Sequence, residues 1–278
     1  MKLLPAWHAH PEVWLLFGSI IAAYLIAGRR HALETGEAVD KRKTRFFIAG
    51  IAVLWLGADW PIHDLAERYL YHVHMEQHLL FTLVAPPLLI AGMPAWLLRR
   101  YLRSKPVATV FGFFTKPIVA LIVFNSALLF VHWPAVVELS VRSGWSHFGL
   151  HLMLVTTALL MWWPVMSPLP EYPALPAPAQ MLYLFLQSLA PTIPASFLTF
   201  GDHLLYPVYG TFPRIWGMSA LTDQLLAGLI MKLVGGAILW TFITAIFFRW
   251  YREEHRDEGW DASKYRDVEH DIHLELTR

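Results

Sequence analysis

Seven long, continuous runs of apolar residues constrain this chain more than any other feature of its sequence. A helix needs about 20 mainly apolar residues to cross the hydrocarbon core of a bilayer. The runs do not alternate between apolar and polar positions, which excludes the strand pattern of a membrane barrel. The sequence therefore predicts an all-α fold, a polytopic membrane helix bundle with seven transmembrane helices. The predicted spans are Glu12–Gly28, Thr44–Trp60, His74–Leu98, Lys116–Val136, His147–Ser167, Gln180–Phe200 and Met218–Phe248.

The composition agrees with a membrane protein and narrows the chemistry that the chain can carry. Only 15% of the 278 residues are charged, against about 25% in a typical soluble domain. The 13 Trp and 10 Tyr residues suit aromatic belts at two membrane interfaces. There is no cysteine, which excludes disulfides, thiolate metal sites and covalent c-type haem. The net charge of +1, without a basic stripe, argues against a nucleic-acid partner.

Lysine and arginine predict the orientation, because loops on the cytoplasmic side of a membrane carry an excess of them. The loops after the first and third spans, and the segment after the last span, are basic, whereas the intervening loops hold few cations. With seven spans, this distribution places the N-terminus outside and the C-terminus in the cytoplasm. We expect residues 1–251 to form the transmembrane domain. Residues 252–278 are expected to form a charged cytoplasmic tail, either a frayed helix or a disordered end.

The 14 histidines are distributed unevenly across this predicted topology. Ten fall outside the membrane or at the outer ends of spans, and four fall on the cytoplasmic side. The outer ten are His8, His10, His63, His72, His74, His78, His132, His147, His151 and His203. The cytoplasmic four are His31, His255, His270 and His273. Because ionisable residues within a membrane are costly and mark functional sites, this one-sided distribution indicates a site near the outer face.

Two histidine pairs stand out within the outer group. His74 and His78 lie at the start of the third span, and His147 and His151 lie at the start of the fifth, each pair four residues apart. Residues at i and i+4 share a helix face, so each pair presents two imidazoles about one turn apart. His132, near the outer end of the fourth span, adds a fifth ring. Imidazole suits zinc, copper, iron and nickel, so these five residues are candidate metal ligands.

The other outer histidines have a simpler interpretation. His8 and His10 are expected to be polar side chains satisfied by water or lipid headgroups, and His63 and His72 are interpreted as structural residues of the loop before the third span.

Thioethers select Cu(I) and could add softer ligands to the paired histidines. The methionines at the same level are Met75, Met153 and Met218.

The last span carries polar residues of its own. Asp223 lies near its outer end, and Lys232 lies nine residues, or about 13 Å, deeper in the bilayer. At that depth Lys232 needs a partner or must lose its proton. Asp223 and Met231 are eight residues apart and share a helix face, whereas Asp223 and Lys232 do not. Asp223 is interpreted either as an interhelical hydrogen-bonding group or helix cap, or as part of a functional site.

Prolines interrupt two of the predicted spans. The third contains Pro86 and Pro87, and the sixth contains Pro191 and Pro194. A proline frees carbonyl groups and bends a helix, which a membrane bundle tolerates where neighbours satisfy those groups. These bends either shape a cavity or only fit the helix packing, and the sequence leaves both interpretations open.

At these residues the chain resembles a known family, the seven-span CtaG proteins, which are assembly factors of caa3-type cytochrome c oxidases. They are distinct from the single-span copper chaperone of the same name. Four motifs match in order between about residues 60 and 240. They are His74-Met75-Glu76-Gln77-His78-Leu79-Leu80 with Ala85-Pro86-Pro87-Leu88-Leu89 and Gly92-Met93-Pro94; His132-Trp133-Pro134; His147-Phe148-Gly149-Leu150-His151 with Trp162-Trp163-Pro164; and Asp223-Gln224, Ala227-Gly228 and Met231.

The resemblance implies a non-enzymatic assembly factor that supplies copper to the haem–copper centre of the oxidase catalytic subunit. It also implies a multi-pass protein of the bacterial cytoplasmic membrane, with the lipid bilayer, the catalytic subunit and an outer-face copper donor as partners. The residues that it carries over as metal ligands are His74, His78, His132, His147, His151, Asp223 and Met231. The chain departs from the family pattern at Leu150, where an acidic residue is expected, and at Lys232, where many members have Trp.

Three other functions compete with copper handling. Histidines from two helices could ligate a haem iron axially, although each helix would then need one histidine rather than two. Asp223 and Lys232 could serve a proton or ion carrier, which leaves the histidine pairs unexplained. A membrane scaffold could bind oxidase subunits without any metal.

Overall fold

The protein is a bundle of helices. The computed structural model describes the backbone of residues 6–276 and the side chains of residues 6–255. The chain is 79% helix, and no strand occurs between residues 6 and 276. The helices are α1 Pro11–Thr35, α2 Lys41–Ala58, α3 Ile62–Arg68, α4 Tyr71–Leu79, α5 Ala85–Gly92, α6 Ala95–Tyr101, α7 Lys105–Phe114, α8 Pro117–Val131, α9 Pro134–Arg142, α10 Gly144–Met166, α11 Ala177–Gln187, α12 Thr192–Phe200, α13 Ala220–Leu229 and α14 Gly235–Leu276.

Two π-helical turns lie inside continuous helical segments. Leu80–Val84 joins α4 to α5, and Ile230–Val234 joins α13 to α14. The prediction of an all-α membrane protein is confirmed, because five helices in the described part of the chain are long and apolar enough to cross a membrane. The number becomes seven if each of two bent helix pairs counts as one span. Seven spans and their orientation stay predictions.

One bent pair corrects the predicted third span, His74–Leu98. The helical segment begins at Tyr71 and ends at Gly92, and α6 then leaves at an angle of 97°. Pro94 explains the break, because a residue before proline is driven out of the helical region. Met93 is accordingly extended, with ψ 119°. Residues 95–98 therefore belong to the next helix.

The second bent pair corrects the predicted fourth span, Lys116–Val136. Its main helix, α8, ends at Val131 and is preceded by α7 at an angle of 75°. Pro134 starts the separate helix α9. His132 therefore lies in the turn between two helices, where its side chain is buried.

The segment after residue 251 continues the last helix. The backbone of α14 is helical to Leu276, beyond the predicted boundary between the transmembrane domain and the tail. The side chains of His270 and His273 lie outside the described residues. The boundary and the cytoplasmic position of this segment stay predictions.

Small residues bring helix backbones into close contact, as is common in membrane bundles. A Cβ on Gly92 would collide with the backbone of Phe47, and a Cβ on Gly50 would come within 2.8 Å of the Leu89 side chain. These contacts hold α2 against α5. A Cβ on Gly228 would collide with the Thr199 hydroxyl, so α13 packs equally closely on α12.

The N-terminal segment is tied to α3 by a buried ion pair. His10 Nε2 lies 3.1 Å from Asp64 Oδ2, and His10 Nδ1 lies 3.3 Å from Glu12 Oε1. Burial lowers the pKa of the His10 imidazole, but the hydrogen bonds to the Asp64 and Glu12 carboxylates outweigh burial and leave the pKa above its usual 6.5. We call this end of the bundle the histidine end. It is formed by residues 6–10, α3 and the starts of α4, α10 and α13.

Candidate metal site

The helix that carries the first histidine pair is shaped by proline. Pro86 has no N–H, so it cannot donate to the Thr82 carbonyl four residues earlier. The indole Nε1 of Trp162 donates to that carbonyl instead, at 2.8 Å. The bond joins the π turn of α4 and α5 to α10, which carries the second histidine pair. The two pairs are thus held on facing helices, and π turns of this kind are frequent at functional sites.

The four paired histidines meet in one cluster. Within each pair the ring centroids are 4.4 Å apart for His74 and His78, and 4.1 Å apart for His147 and His151. Across the helices, His74 lies 5.6 Å from both His147 and His151, and His78 lies 5.3 Å from His151. We call these four residues the histidine cluster.

Three ring nitrogens in the cluster make no hydrogen bond to a described residue. His74, His147 and His151 each offer a nitrogen within 4.8 Å of the others. His74 Nδ1, His147 Nε2 and His151 Nε2 are buried and make no hydrogen bond to any residue whose side chain is described. Buried polar atoms almost always have a partner, and each one left unsatisfied costs about 1–3 kcal/mol. These three histidines from two helices form a donor set that a single metal ion could use.

His132, at the end of α8, lies next to the cluster. Its Nδ1 lies 2.7 Å from the Leu128 carbonyl oxygen and must donate to it, which fixes the proton on Nδ1. The buried Nε2 then carries a free lone pair, and it has no hydrogen-bond partner within residues 6–255. The His132 ring lies 5.8 Å from the His78 ring. His132 is therefore a fifth neutral donor, next to the cluster.

A narrow cavity continues from His78 and His132 between the two π turns. Its volume is about 50 Å³, enough for an ion or a few water molecules but not for a large organic group. Three methionines line it, namely Met75, Met161 and Met231. Pro191 also lines it, so at least this proline shapes a cavity and does more than fit the packing. Met153 and Met218 do not line the cavity.

Asp223 lies apart from these donors. Its carboxylate accepts hydrogen bonds from the backbone N–H groups of Tyr71 and His72, both at 3.0 Å, and from His72 Nδ1 at 2.7 Å. Arg214 Nη1 adds a contact of 3.4 Å. Asp223 thus caps the start of α4, whose first N–H groups have no partner within the helix. Of the seven predicted ligands, the structure brings together the five histidines and Met231, and it places Asp223 elsewhere.

The structure adds an acidic residue that sequence reasoning missed. Glu67 of α3 places one carboxylate oxygen 3.4 Å from His147 Nε2 and the other 3.4 Å from His63 Nε2. The spacing of His63 and Glu67, four residues apart, was the signal that could have found it. Because His63 was interpreted as a structural residue, its contact with His147 of the cluster was not predicted.

Similarity to known proteins agrees with this site. Residues 22–253 match the family described as cytochrome c oxidase caa3 assembly factor (Caa3_CtaG). The chain belongs to this CtaG family. No curated protein and no solved structure shows significant similarity to it. The matched region of the CtaG family includes the four residues of the histidine cluster, His132 and both π turns.

The geometry gives roles to other residues of the CtaG motifs. Gln77, between the paired histidines His74 and His78, donates to the Gly57 carbonyl at 2.7 Å and ties α4 to α2. Leu150 lies where the resemblance implied an acidic residue, but Glu67 supplies a carboxylate beside His147 from another helix. The site therefore has an acidic neighbour although position 150 is leucine.

Proposed function

We propose that this CtaG protein binds copper in the histidine cluster and delivers it to the catalytic subunit of a cytochrome c oxidase during assembly. One observation carries the proposal: three histidines of α4 and α10 offer ring nitrogens within 4.8 Å of one another, and each has a buried nitrogen that makes no hydrogen bond to a described residue. The CtaG family supplies the assembly role. Copper would be cargo, and no catalysis by this protein is proposed.

The donor set favours copper over other metals. Imidazole binds zinc and copper alike, but thioether ligands select Cu(I). The cavity beside His78 and His132 is lined by three methionines, and no carboxylate lines it within the described part of the chain. A copper ion leaving the cluster in this direction would meet successively softer donors.

The number of donors suits delivery better than storage. A structural zinc site holds its ion with four ligands in a closed tetrahedron. Here five histidines and three methionines lie in a continuous series, more donors than one ion needs. An ion could exchange one ligand for the next without ever losing all of them, as transfer to a partner requires.

The compact site argues against the haem alternative. Pockets that bind cofactors and other small molecules occupy roughly 300–1,000 Å³. The cavity beside the cluster measures about 50 Å³. The imidazole rings are also 4.1–5.8 Å apart and contact one another directly. This spacing leaves no room for a porphyrin between the two pairs.

We further propose that the chain crosses a bacterial cytoplasmic membrane seven times, with the N-terminus outside. The positive-inside rule supports this orientation, and each bent helix pair would count as one span. The histidine end would then face outward, toward an outer-face copper donor protein. The oxidase catalytic subunit would be the acceptor.

The decisive test is metal content after joint substitution of His74 and His78 by alanine. The wild-type protein, purified in detergent from copper-supplemented cells, is expected to hold near-stoichiometric copper and to show no Soret band. The double variant is expected to lose that copper. His203→Ala is the matched control, because this histidine is 83% exposed and pairs with Asp202 at the protein surface.

Mass spectrometry of the metal and an absorption spectrum separate the alternatives. Full copper occupancy in the double variant would make the site assignment wrong. A Soret band in the wild-type protein would favour haem handling. Metal-free wild-type protein that still co-purifies with oxidase subunits would favour a scaffold.

A further inference from the structure

A second group of metal-ligating side chains lies at the histidine end, in front of the cluster. His8, His10 and Asp64 offer three ligand atoms within 4.8 Å of one another. His8 is exposed, whereas His10 and Asp64 are buried. The group therefore has one side open to the surroundings and one side facing the protein interior.

A third group connects this one to the cluster. His63, Glu67 and His147 also offer ligand atoms within 4.8 Å of one another, and His147 belongs to the cluster as well. The His63 ring lies 5.0 Å from the His10 ring and 5.7 Å from the His147 ring. Since the His8 and His10 rings are 5.5 Å apart, consecutive rings stay within 6 Å from the exposed His8 to the buried cluster.

We propose that His8, His10 and Asp64 form a copper capture site, from which the ion reaches the histidine cluster through His63 and Glu67. His147 would be the residue at which ligands are exchanged. The inference rests on the proposed function, since it assumes that the cluster binds copper. It adds a second site and a direction of travel.

The ion pair alone does not account for the capture site. Fixing the N-terminal segment to α3 requires His10 and Asp64 but gives no role to His8. His8 is exposed, yet its ring is directed toward His10, so that it completes a three-ligand group. A copper ion bound there would displace the proton between His10 Nε2 and the Asp64 carboxylate, and that proton would pass to solvent at the open side of the group.

The chemistry of the donors sets the direction. The capture site includes the carboxylate of Asp64, and the group that connects it to the cluster includes that of Glu67. The histidine cluster offers only imidazoles, and the cavity beyond it adds thioethers. Carboxylates favour hard cations, while imidazole and thioether favour copper. Each step therefore exchanges a weaker copper ligand for a stronger one. Every step is a ligand exchange, in which one copper–ligand bond forms as another breaks and the oxidation state is unchanged.

The test measures Cu⁺ binding and loading in the purified full-length protein. Cu⁺ is presented under anaerobic conditions from a chromophoric chelator, and the release of the chelator gives both stoichiometry and rate. The wild-type protein is expected to bind two copper ions, the weaker one at the capture site. The variant His8→Ala with Asp64→Asn is expected to bind one and to load it at least about tenfold more slowly.

The two substitutions limit damage to the fold. The amide that Asp64→Asn introduces would still present an oxygen that accepts from His10, and His8 is exposed. His8→Ala alone serves as a second variant that leaves the His10–Asp64 pair untouched, and it is expected to weaken binding of the second ion. His203→Ala again serves as the control and should behave as the wild type.

The outcomes separate this inference from the proposed function. Wild-type stoichiometry and loading rate in both capture-site variants would overturn the capture site and leave the cluster proposal standing. A variant carrying His74→Ala and His151→Ala should retain only the weaker ion. If it keeps both ions, the proposed function fails instead.

Discussion

Two buried polar groups contact α4 two residues apart and differ in their hydrogen bonding. Asp223 and His72 form a group whose carboxylate accepts three hydrogen bonds and contacts Arg214. His74, two residues further along the helix, belongs to the cluster, where Nδ1 has no partner among the side chains described. Both groups are buried and contain histidine. The two groups differ in hydrogen bonding: the Asp223 carboxylate is saturated, whereas the cluster keeps ring nitrogens that a metal could use.

The difference has a thermodynamic meaning. A saturated group stabilises the fold, because its desolvation is compensated by hydrogen bonds. An unsaturated buried nitrogen costs about 1–3 kcal/mol in the metal-free protein. Proteins retain such costs where activity requires them. The cluster therefore should be stabilised by copper, whereas the Asp223 group should be indifferent to it.

The largest expected effect follows from Asp223→Ala. This substitution leaves His72 Nδ1 and two backbone N–H groups of α4 without their acceptor, and it removes the carboxylate that contacts Arg214. Breaking a buried ion pair on one side costs about 3–5 kcal/mol, so we expect a loss of that size in the free energy of unfolding. Denaturant or thermal unfolding in detergent measures it.

The copper content of Asp223→Ala shows whether Asp223 contributes only to stability or also binds copper. Because Asp223 does not contact the cluster, the folded fraction of the variant should hold as much copper as the wild type. Asp223→Asn is the matched control, since the amide oxygen keeps one acceptor and should cost less stability. An Asp223→Ala protein that stays stable but loses copper would show that Asp223 is a copper ligand. The Asp223 group would then not be a purely structural one.

A smaller effect is expected from Met231→Leu, which tests whether the thioethers that line the cavity bind copper. Leucine has nearly the volume of methionine, so stability should change by less than about 1.5 kcal/mol. Removing one thioether from the cavity should weaken Cu⁺ binding roughly tenfold, or about 1.4 kcal/mol. Competition with a Cu⁺ chelator measures the change.

The control for Met231 is a methionine outside the cavity. Met218 lies at the histidine end, where it packs against the group of buried residues around Leu65, and Met218→Leu should leave Cu⁺ affinity unchanged. Equal losses in both variants would attribute the effect to general packing. No loss in either would remove the methionines from the copper path.

The sequence predicted the parts of this molecule that depend on local patterns. Continuous apolar runs predicted the helices, because span length is fixed by the bilayer. The i,i+4 spacing predicted that each histidine pair would share a helix face. That the two pairs would face each other followed from their common level in the predicted topology. The CtaG resemblance is confirmed by the family match over residues 22–253.

The features that sequence reasoning missed all depend on contacts between distant segments. Asp223 meets His72 across 151 residues, and no spacing rule relates the two. Glu67 reaches His147 from another helix. The prolines predicted bends, but which group would satisfy the freed Thr82 carbonyl depended on where Trp162 packs. His8 and His10 lie in a segment without any periodic pattern, and only the folded chain places them beside Asp64.

The smallest expected effect comes from Lys232→Met at the rim of the cavity. Lys232 Nζ donates to the Thr192 hydroxyl at 2.5 Å, so the partner that the sequence predicted for this lysine is present. The ammonium lines the same cavity as Met231 and repels a bound cation. Removing its charge should therefore strengthen Cu⁺ binding, by less than about threefold at the effective dielectric of a partly solvated site. Chelator competition measures this change, and Thr192→Val, which keeps the charge but removes its partner, is the matched control.

The direction of that change separates delivery from ion transport. If Lys232 were part of a proton or ion carrier, Lys232→Met would abolish flux across liposomes that contain the protein and would leave copper binding unaltered. If the cavity is a copper path, the variant should show tighter Cu⁺ binding and slower release to a chelator, because the repulsion that assists release is gone. A loss of copper binding in Lys232→Met would contradict both interpretations of the cavity, since a cation has no means of holding Cu⁺ in place.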